Sequence, residues 1–102
     1  MSLILDYFDK TKDLKEKYGE KSIVFMQVGS FYEVYGCKNQ DTGEIFASSI
    51  ESFQKICDFS VSEKKKVKGI NGSNVVMAGF PETQLEKYIE KVQAHQFTIA
   101  VY

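Results

Sequence analysis

The sequence predicts an α+β domain in which a small mixed β-sheet is flanked by helices. Helical periodicity occurs near both ends of the chain, over residues 3–18 and from Pro81 to about His95. Between and after these helices lie short β-rich segments separated by glycine and polar turn formers. The expected element order is αββ(β)αββαβ, with successive strands close enough along the chain to pair, which favours an α+β domain.

Length and composition are those of one small globular domain. With 102 residues, 43% hydrophobic and 26% charged, the chain can form one core but not two, so residues 1–102 are interpreted as a single domain. No apolar run approaches the length of a membrane span, and no signal-peptide pattern is present. Cys37 and Cys57 fit no metal or redox spacing, so we expect free thiols, an intracellular location and no membrane partner.

The charge balance limits the kinds of partner that the chain can bind alone. The formal net charge is −1, the pI is about 5.8, and all 13 basic residues are lysine. Duplex affinity comes mostly from neutralised phosphates, and bidentate reading of bases or phosphates needs the arginine fork. These facts exclude a strong autonomous DNA binder, but they allow weak DNA contact within a larger protein.

The first helix and the first strand follow directly from local pattern. An apolar stripe runs along the predicted helix at residues 3–18, formed by Leu3, Tyr7, Leu14 and Tyr18. Gly19 is a natural stop for this helix. Residues 22–28 are apolar and β-branched and end at Gly29, which is typical of a strand buried on both faces.

The next strand, predicted over residues 30–37, carries the most informative side chains. In an extended backbone Phe31, Glu33 and Tyr35 project to one face, and the even-numbered residues project to the other. Phe31 and Glu33 then stand roughly 6–7 Å apart. Because a core strand does not normally offer a carboxylate beside a phenylalanine, this face is predicted to contact a ligand. On alternation alone, a core Phe31 and an exposed edge Glu33 remain the simpler interpretation.

The middle of the chain is predicted to contain, in order, a turn at 39–43, a strand at 44–47, a helix capped by Ser48 or Ser49, a strand at 58–61, a glycine-rich loop at 69–74 and a strand at 75–78. The apolar face of that helix comprises Ile50, Phe53, Ile56 and Cys57. The lysine-rich residues 64–68 have two interpretations, a solvated hairpin tip or a phosphate-binding patch.

The last helix is predicted to open at Pro81 and Glu82, with Pro81 in its first turn. An apolar stripe at helical spacing follows, formed by Leu85, Tyr88, Ile89 and Val92. His95 has no nucleophile or metal partner in the sequence, so it is interpreted as a helix-end residue. Residues 97–102 are predicted to form a strand, and a chain ending inside a strand suggests a domain of a longer polypeptide.

Four segments of the chain resemble the N-terminal domain of MutS, the DNA mismatch-repair recognition protein, and they follow one another along the chain in the same order as in that family. Gly29-x-Phe31-Tyr32-Glu33 resembles the Phe-x-Glu mismatch-reading motif of that family, and the apolar run before it resembles the preceding strand. Residues 58–65 look like the family's Asp-Ile-Ser-Leu-Thr-Lys-Arg segment, with Lys65 in place of its arginine. Residues 76–81 are similar to its Met-Ala-Gly-Ile-Pro block, followed by a helix and a strand.

The resemblance implies a function in recognising mismatched double-stranded DNA. Phe31 is then inserted beside a mispaired base from the minor groove, and Glu33 meets that base by a hydrogen bond. Lys64, Lys65 and Lys66 are the implied phosphate contacts. The resemblance also implies a longer protein with further domains, dimer formation, and an ATPase elsewhere that uses ATP and Mg. For this chain itself we expect no catalytic residue, no metal or other cofactor, and no enzymatic activity.

Two other classes of function remain as alternatives. A protein-interaction module would use Phe31 and Tyr35 as an aromatic anchor. A small metal-dependent nuclease or hydrolase would draw its catalytic groups from Asp6, Asp9, Glu33, Asp58 and His95. The sequence places none of these in a nucleophile–base arrangement or a metal-ligand spacing.

Overall fold

The computed structural model describes residues 3–102, apart from the side chains of Lys65 and Lys66. The elements are α1 (Leu3–Tyr18), β1 (Ser22–Val28), β2 (Phe31–Lys38), β3 (Ile45–Phe46), α2 (Ile50–Cys57), β4 (Ser62–Lys68), a 3₁₀ turn (Ile70–Gly72), β5 (Asn74–Pro81), a second 3₁₀ turn (Glu82–Gln84), α3 (Leu85–Gln93) and β6 (Thr98–Val101). The predicted α+β class is confirmed. No helix within residues 3–102 has the length and apolar character needed to cross a membrane.

The strands form one mixed sheet in the order β4-β5-β2-β1-β6, with β3 beside the end of β2. β1 and β6 are parallel, and the other neighbours are antiparallel. β2 is central because β5 pairs with all eight of its residues, from Phe31 opposite Pro81 to Lys38 opposite Asn74. Its other edge pairs first with β1 and then with β3. Three neighbouring strands together therefore fix the position of β2 in the sheet.

Both faces of the sheet carry packed aromatic side chains. On one face α1 covers the middle of the sheet, where Tyr7 packs edge-to-face on Tyr35 with ring centroids 5.2 Å apart. The Tyr7 hydroxyl donates a hydrogen bond to the carbonyl of Val24 at 2.8 Å. On the other face Phe53 of α2 and Phe80 of β5 meet Phe25, Phe59 and Tyr88. Because burial of large aromatics dominates core energetics, these two clusters hold the helices on the sheet.

The hairpin between β1 and β2 is as short as an antiparallel connection allows. Val28 pairs with Phe31, so Gly29 and Ser30 alone form the loop. Gly29 has φ 61°, and a two-residue hairpin with positive φ at its first position is of type II′, the turn that favours glycine there. The loop therefore fixes Phe31 as the first residue of β2.

The strand predicted at residues 58–61 is wrong in position. Asp58 takes a left-handed conformation, with φ 57°, and ends α2, and the strand begins only at Ser62. The lysine run consequently lies in edge strand β4, at the end next to the loop that leads into β5. The hairpin-tip and phosphate-patch interpretations of this run both stay predictions. The pattern of apolar residues does not reveal β4, because it is stabilised by ladder hydrogen bonds to β5 and lysine is well tolerated on an edge strand.

The predicted start of the last helix is also wrong. Pro81 is extended, with φ −61° and ψ 145°, and it ends β5 opposite Phe31. A 3₁₀ turn separates it from α3, which begins at Leu85 and ends at Gln93. Strand pairing with β2 keeps the backbone extended through Pro81, although proline and glutamate are typical of a first helical turn. His95 is exposed in the turn after α3.

Smaller differences occur around α2. The returning strand is only Ile45–Phe46, because Ala47 has φ 73° and leaves the extended conformation. The hydroxyl of Ser48 accepts a hydrogen bond from the Ile50 backbone N–H at 3.2 Å, as expected of a capping residue. The Ser49 hydroxyl makes no capping bond and donates to the carbonyl of Ser22 at 2.8 Å.

Candidate nucleic-acid interface

Phe31 is an exposed aromatic at the end of the sheet beside the β1–β2 hairpin. Its side chain is 42% exposed, whereas Tyr32, the next residue, is 9% exposed and stacks on Phe80. The direct cross-strand neighbours of Phe31 are Val28 and Pro81. Residues directly opposite one another share a sheet face, so Phe31 stands between two side chains that offer no polar group. This position allows the ring to contact a flat apolar surface outside the domain.

Glu33 lies two residues further along the same face and is half-buried. Its cross-strand neighbours are Met26 of β1, which is buried, and Gly79 of β5. Because residue 79 has no side chain, the surface beside the Glu33 carboxylate is left open. The predicted pairing of an aromatic and a carboxylate on one face is present, and both groups reach the surface.

Tyr35, the third residue of this face, is buried and does not share the surface with Phe31. It is 1% exposed, and its hydroxyl donates a hydrogen bond to Oε1 of Glu33. Burial raises the pKa of Tyr35 well above its usual range, and the hydrogen bond and the charge of Glu33 raise it further. The interpretation of Tyr35 as part of an exposed aromatic anchor is therefore wrong, because α1 covers this part of the sheet.

The hairpin loop is held in place by the segment that follows β5. The backbone N–H of Glu82 donates to the carbonyl of Ser30 at 2.8 Å. Nε2 of Gln27 donates to Oε2 of Glu82 at 2.6 Å. No local motif marks Gln27 or Gly79 as part of the site, because their contribution depends on strand register. Glu82 is predictable from the sequence only as a residue at a helix start.

Lys64 lies on the same sheet face as Phe31 and Glu33, but not beside the aromatic. Lys64 pairs with Val75, which pairs with Cys37, so it is two strands from β2 and four residues beyond Glu33. Strand geometry puts the Cα atoms of Lys64 and Glu33 roughly 16 Å apart. The side chains of Lys65 and Lys66 lie outside the described part of the structure. The predicted site thus consists of an aromatic–carboxylate pair and a separate basic strand.

Neighbouring lysines are engaged within the domain. Nζ of Lys38 lies 3.7 Å from a carboxylate oxygen of Glu63, and Nζ of Lys68 donates to Oδ1 of Asn74 at 3.3 Å. These contacts tie the basic strand to β2 and to the start of β5. Lys64 is half-buried and takes part in neither of these two contacts.

The metal-dependent enzyme alternative needs a cluster of metal-ligating side chains. No group of three or more histidine, cysteine, aspartate or glutamate side chains in this range could hold a metal ion. Asp6 lies 3.6 Å from Lys10 on α1, an ordinary ion pair at i, i+4. The carbonyl of His95 accepts a hydrogen bond from Lys21 at 3.0 Å, at the opposite end of β1 from Phe31.

The fold is that of a small α+β domain with an exposed aromatic and a half-buried carboxylate on one face of its sheet. Residues 7–102 match the family model for MutS domain I, so the chain belongs to the MutS domain I family. Comparison with curated protein sequences gave no match. The predicted family is therefore confirmed, and the general function of that family is mismatch recognition by a DNA-binding domain of a larger protein.

Proposed function

We propose that this domain reads mispaired bases in double-stranded DNA, with Phe31 as the wedge and Glu33 as the partner of the mispaired base. The observation that carries the proposal is the placement of both side chains on one surface at the end of the sheet, with Phe31 42% exposed. The remaining aromatic residues of β2 and β5 are buried and cannot act as the wedge.

An aromatic wedge distinguishes mispaired from paired DNA through the cost of deforming the duplex. Inserting an apolar side chain from the minor groove unstacks a base step at a cost of a few kcal/mol. That cost is smallest where pairing is already broken, so a mispair is recognised largely by its deformability. The position of Phe31 beside a two-residue loop, with its side chain exposed, supports its assignment as the wedge.

The carboxylate of Glu33 adds selectivity by its charge. A negative group beside the phosphate backbone is repelled by an intact duplex, where the donors of the pairing edges are already engaged with the opposite base. An unpaired base edge offers such a donor, and a hydrogen bond to a charged acceptor is among the stronger ones in proteins. Glu33 therefore penalises matched DNA more than mispaired DNA.

Lys64, Lys65 and Lys66 are proposed to contact phosphates and to add affinity without reading sequence. A net charge of −1 makes this contribution small, which fits a domain acting within a larger clamp around DNA. The further domains, dimer formation and ATPase of the full-length protein are part of the same proposal.

The proposal is tested by titrating the full-length protein against a matched duplex and one carrying a single mispair. Phe31→Ala should lower affinity for the mispaired duplex by about 1–3 kcal/mol, the usual contribution of one base–aromatic stack. Tyr18→Ala is the control, because Tyr18 is an exposed aromatic, 59% exposed, at the end of α1 that leads into the start of β1, whereas Phe31 lies beside the other end of β1. Unchanged mispair binding by Phe31→Ala, or an equal loss with Tyr18→Ala, would contradict the proposal.

A further inference from the structure

We infer that Tyr35 is a positioning residue that holds the Glu33 carboxylate for recognition of the mispaired base. The inference rests on the proposed function of Glu33 and names a second residue on which its selectivity depends. Tyr35 does not reach the surface, so it acts only through Glu33.

The first observation is the hydrogen bond between the two side chains. The Tyr35 hydroxyl donates to Oε1 of Glu33, which leaves Oε2 as the oxygen without this contact. Because burial and the adjacent carboxylate raise the pKa of Tyr35, the hydroxyl remains protonated, and therefore a donor, at any pH used for DNA binding.

The second observation is that the tyrosine ring is fixed from behind. It packs edge-to-face on Tyr7 at 5.2 Å, and the Tyr7 hydroxyl is itself bonded to the Val24 carbonyl at 2.8 Å. The Ser48 hydroxyl donates to the backbone carbonyl of Tyr35. The donor that meets Glu33 is thus held by α1, by β1 and by the segment before α2.

The third observation is that the β5 residue opposite Glu33 has no side chain that could restrict rotation of the Glu33 side chain. Gly79 stands opposite it on β5 and contributes no side chain. A carboxylate free to rotate over Gly79 would lose conformational freedom each time it met a base. Fixing it beforehand avoids that cost, which for one immobilised side chain corresponds to about a two- to tenfold difference in affinity.

The test is a double-mutant cycle in the full-length protein, using matched and singly mispaired duplexes. Tyr35→Phe should lower the ratio of mispaired to matched affinity about two- to tenfold. In a Glu33→Ala background the same substitution should leave the ratio unchanged, because the group that it positions is absent. A decrease of equal size in both backgrounds, or no decrease in either, would overturn the inference.

Two controls separate this effect from folding and from the proposed function. Val92→Ala truncates a buried side chain of α3, which packs on the sheet face opposite Tyr35, so it should lower stability without changing the ratio. A ratio that falls equally in Val92→Ala would show that general loosening of the domain is responsible. Phe31→Ala in the same series reports on the function itself. Loss of discrimination there, together with no effect of Tyr35→Phe, would refute only the positioning inference.

Discussion

Gly79 lies directly opposite Glu33 in the β2–β5 ladder, so no side chain of β5 stands beside Glu33 on their shared sheet face. A Cβ at position 79 would stand 3.5 Å from Cγ of Glu33 and 3.1 Å from the backbone carbonyl oxygen of Tyr32. The first distance is ordinary contact, and the second requires a small shift of the strand. The glycine therefore matters for the surface that surrounds Glu33.

Gly79→Val should reduce mismatch discrimination while the domain still folds. A branched side chain would occupy the space beside the carboxylate and displace it, and the exposed position adds no buried volume. The measurement is the ratio of mispaired to matched affinity, with thermal unfolding measured in parallel. A variant that folds and keeps the full ratio would show that the open space has no part in recognition.

Neutralising the lysine cluster should weaken all duplexes alike. Replacing Lys64, Lys65 and Lys66 by glutamine removes cations that neutralise phosphates, and phosphates carry no information about the mispair. The salt dependence of binding should flatten by about one unit of log–log slope for each phosphate that is no longer neutralised. Titrations at several salt concentrations measure this, and weakening confined to mispaired DNA would show that the cluster reads the lesion.

The isolated domain should bind DNA weakly at near-physiological salt. Its formal net charge of −1 gives no general attraction to a polyanion, and one basic strand supplies few phosphate contacts. Gel-shift titrations of this chain alone, beside the full-length protein, measure the difference. Tight binding by the isolated chain would contradict the view that the domain acts within a larger clamp.

Stability should fall in alkaline solution because of two buried tyrosines. Burial raises the pKa of Tyr7 and of Tyr35 above the unfolded value of about 10. Above pH 10 the unfolded chain releases these protons and the folded chain keeps them, so folding is favoured fully below pH 10 and progressively less as pH rises. Each tyrosine should contribute a slope of about 1.4 kcal/mol per pH unit.

Urea unfolding between about pH 8 and about pH 11.5 measures this slope, and Tyr7→Phe isolates one of the two groups. Removing the Tyr7 hydroxyl also removes its hydrogen bond, which lowers stability by an amount that does not vary with pH below about 10. Above that pH the variant should become less stable about half as steeply as the parent chain, since one of two tyrosines remains. Identical alkaline slopes in the two proteins would show that Tyr7 ionises in the folded state as readily as in the unfolded chain.

The shared face of Phe31 and Glu33 could be predicted from the sequence because it follows from the two-residue period of a strand. The burial of Tyr35 on that same face could not be predicted this way. It depends on how far α1 extends over the sheet, and the amphipathic pattern of a helix does not specify which strand residues it covers. The packing of α1 on the sheet, and not the alternation of the strand, therefore decides that Tyr35 is buried while Phe31 is exposed.

The two errors in element boundaries have a common cause. Pro81 and Glu82 carry the local signals of a helix start, but pairing of Pro81 with Phe31 holds the backbone extended. Residues 62–64 show no apolar alternation, but pairing with β5 makes them a strand. In both segments tertiary pairing overrides local propensity, and one sequence without a known register does not contain that information.

The most direct measurement of the proposed reading of mispaired DNA is a pair of titrations of Glu33→Ala in the full-length protein. Removing a carboxylate from beside the phosphates removes repulsion, so affinity for matched duplex should stay the same or rise. Affinity for the mispaired duplex should fall, because the base no longer has its partner, and discrimination is then reduced from both sides.

Glu44→Ala provides the matched control, because it removes the same charge from an exposed turn at the far end of β2. It should shift both titrations slightly and equally. We predict that Glu33→Ala alone changes the two affinities unequally, weakening binding to the mispaired duplex without weakening binding to the matched one. Equal weakening of both duplexes by Glu33→Ala would contradict the proposed function of Glu33 and assign it a purely structural role.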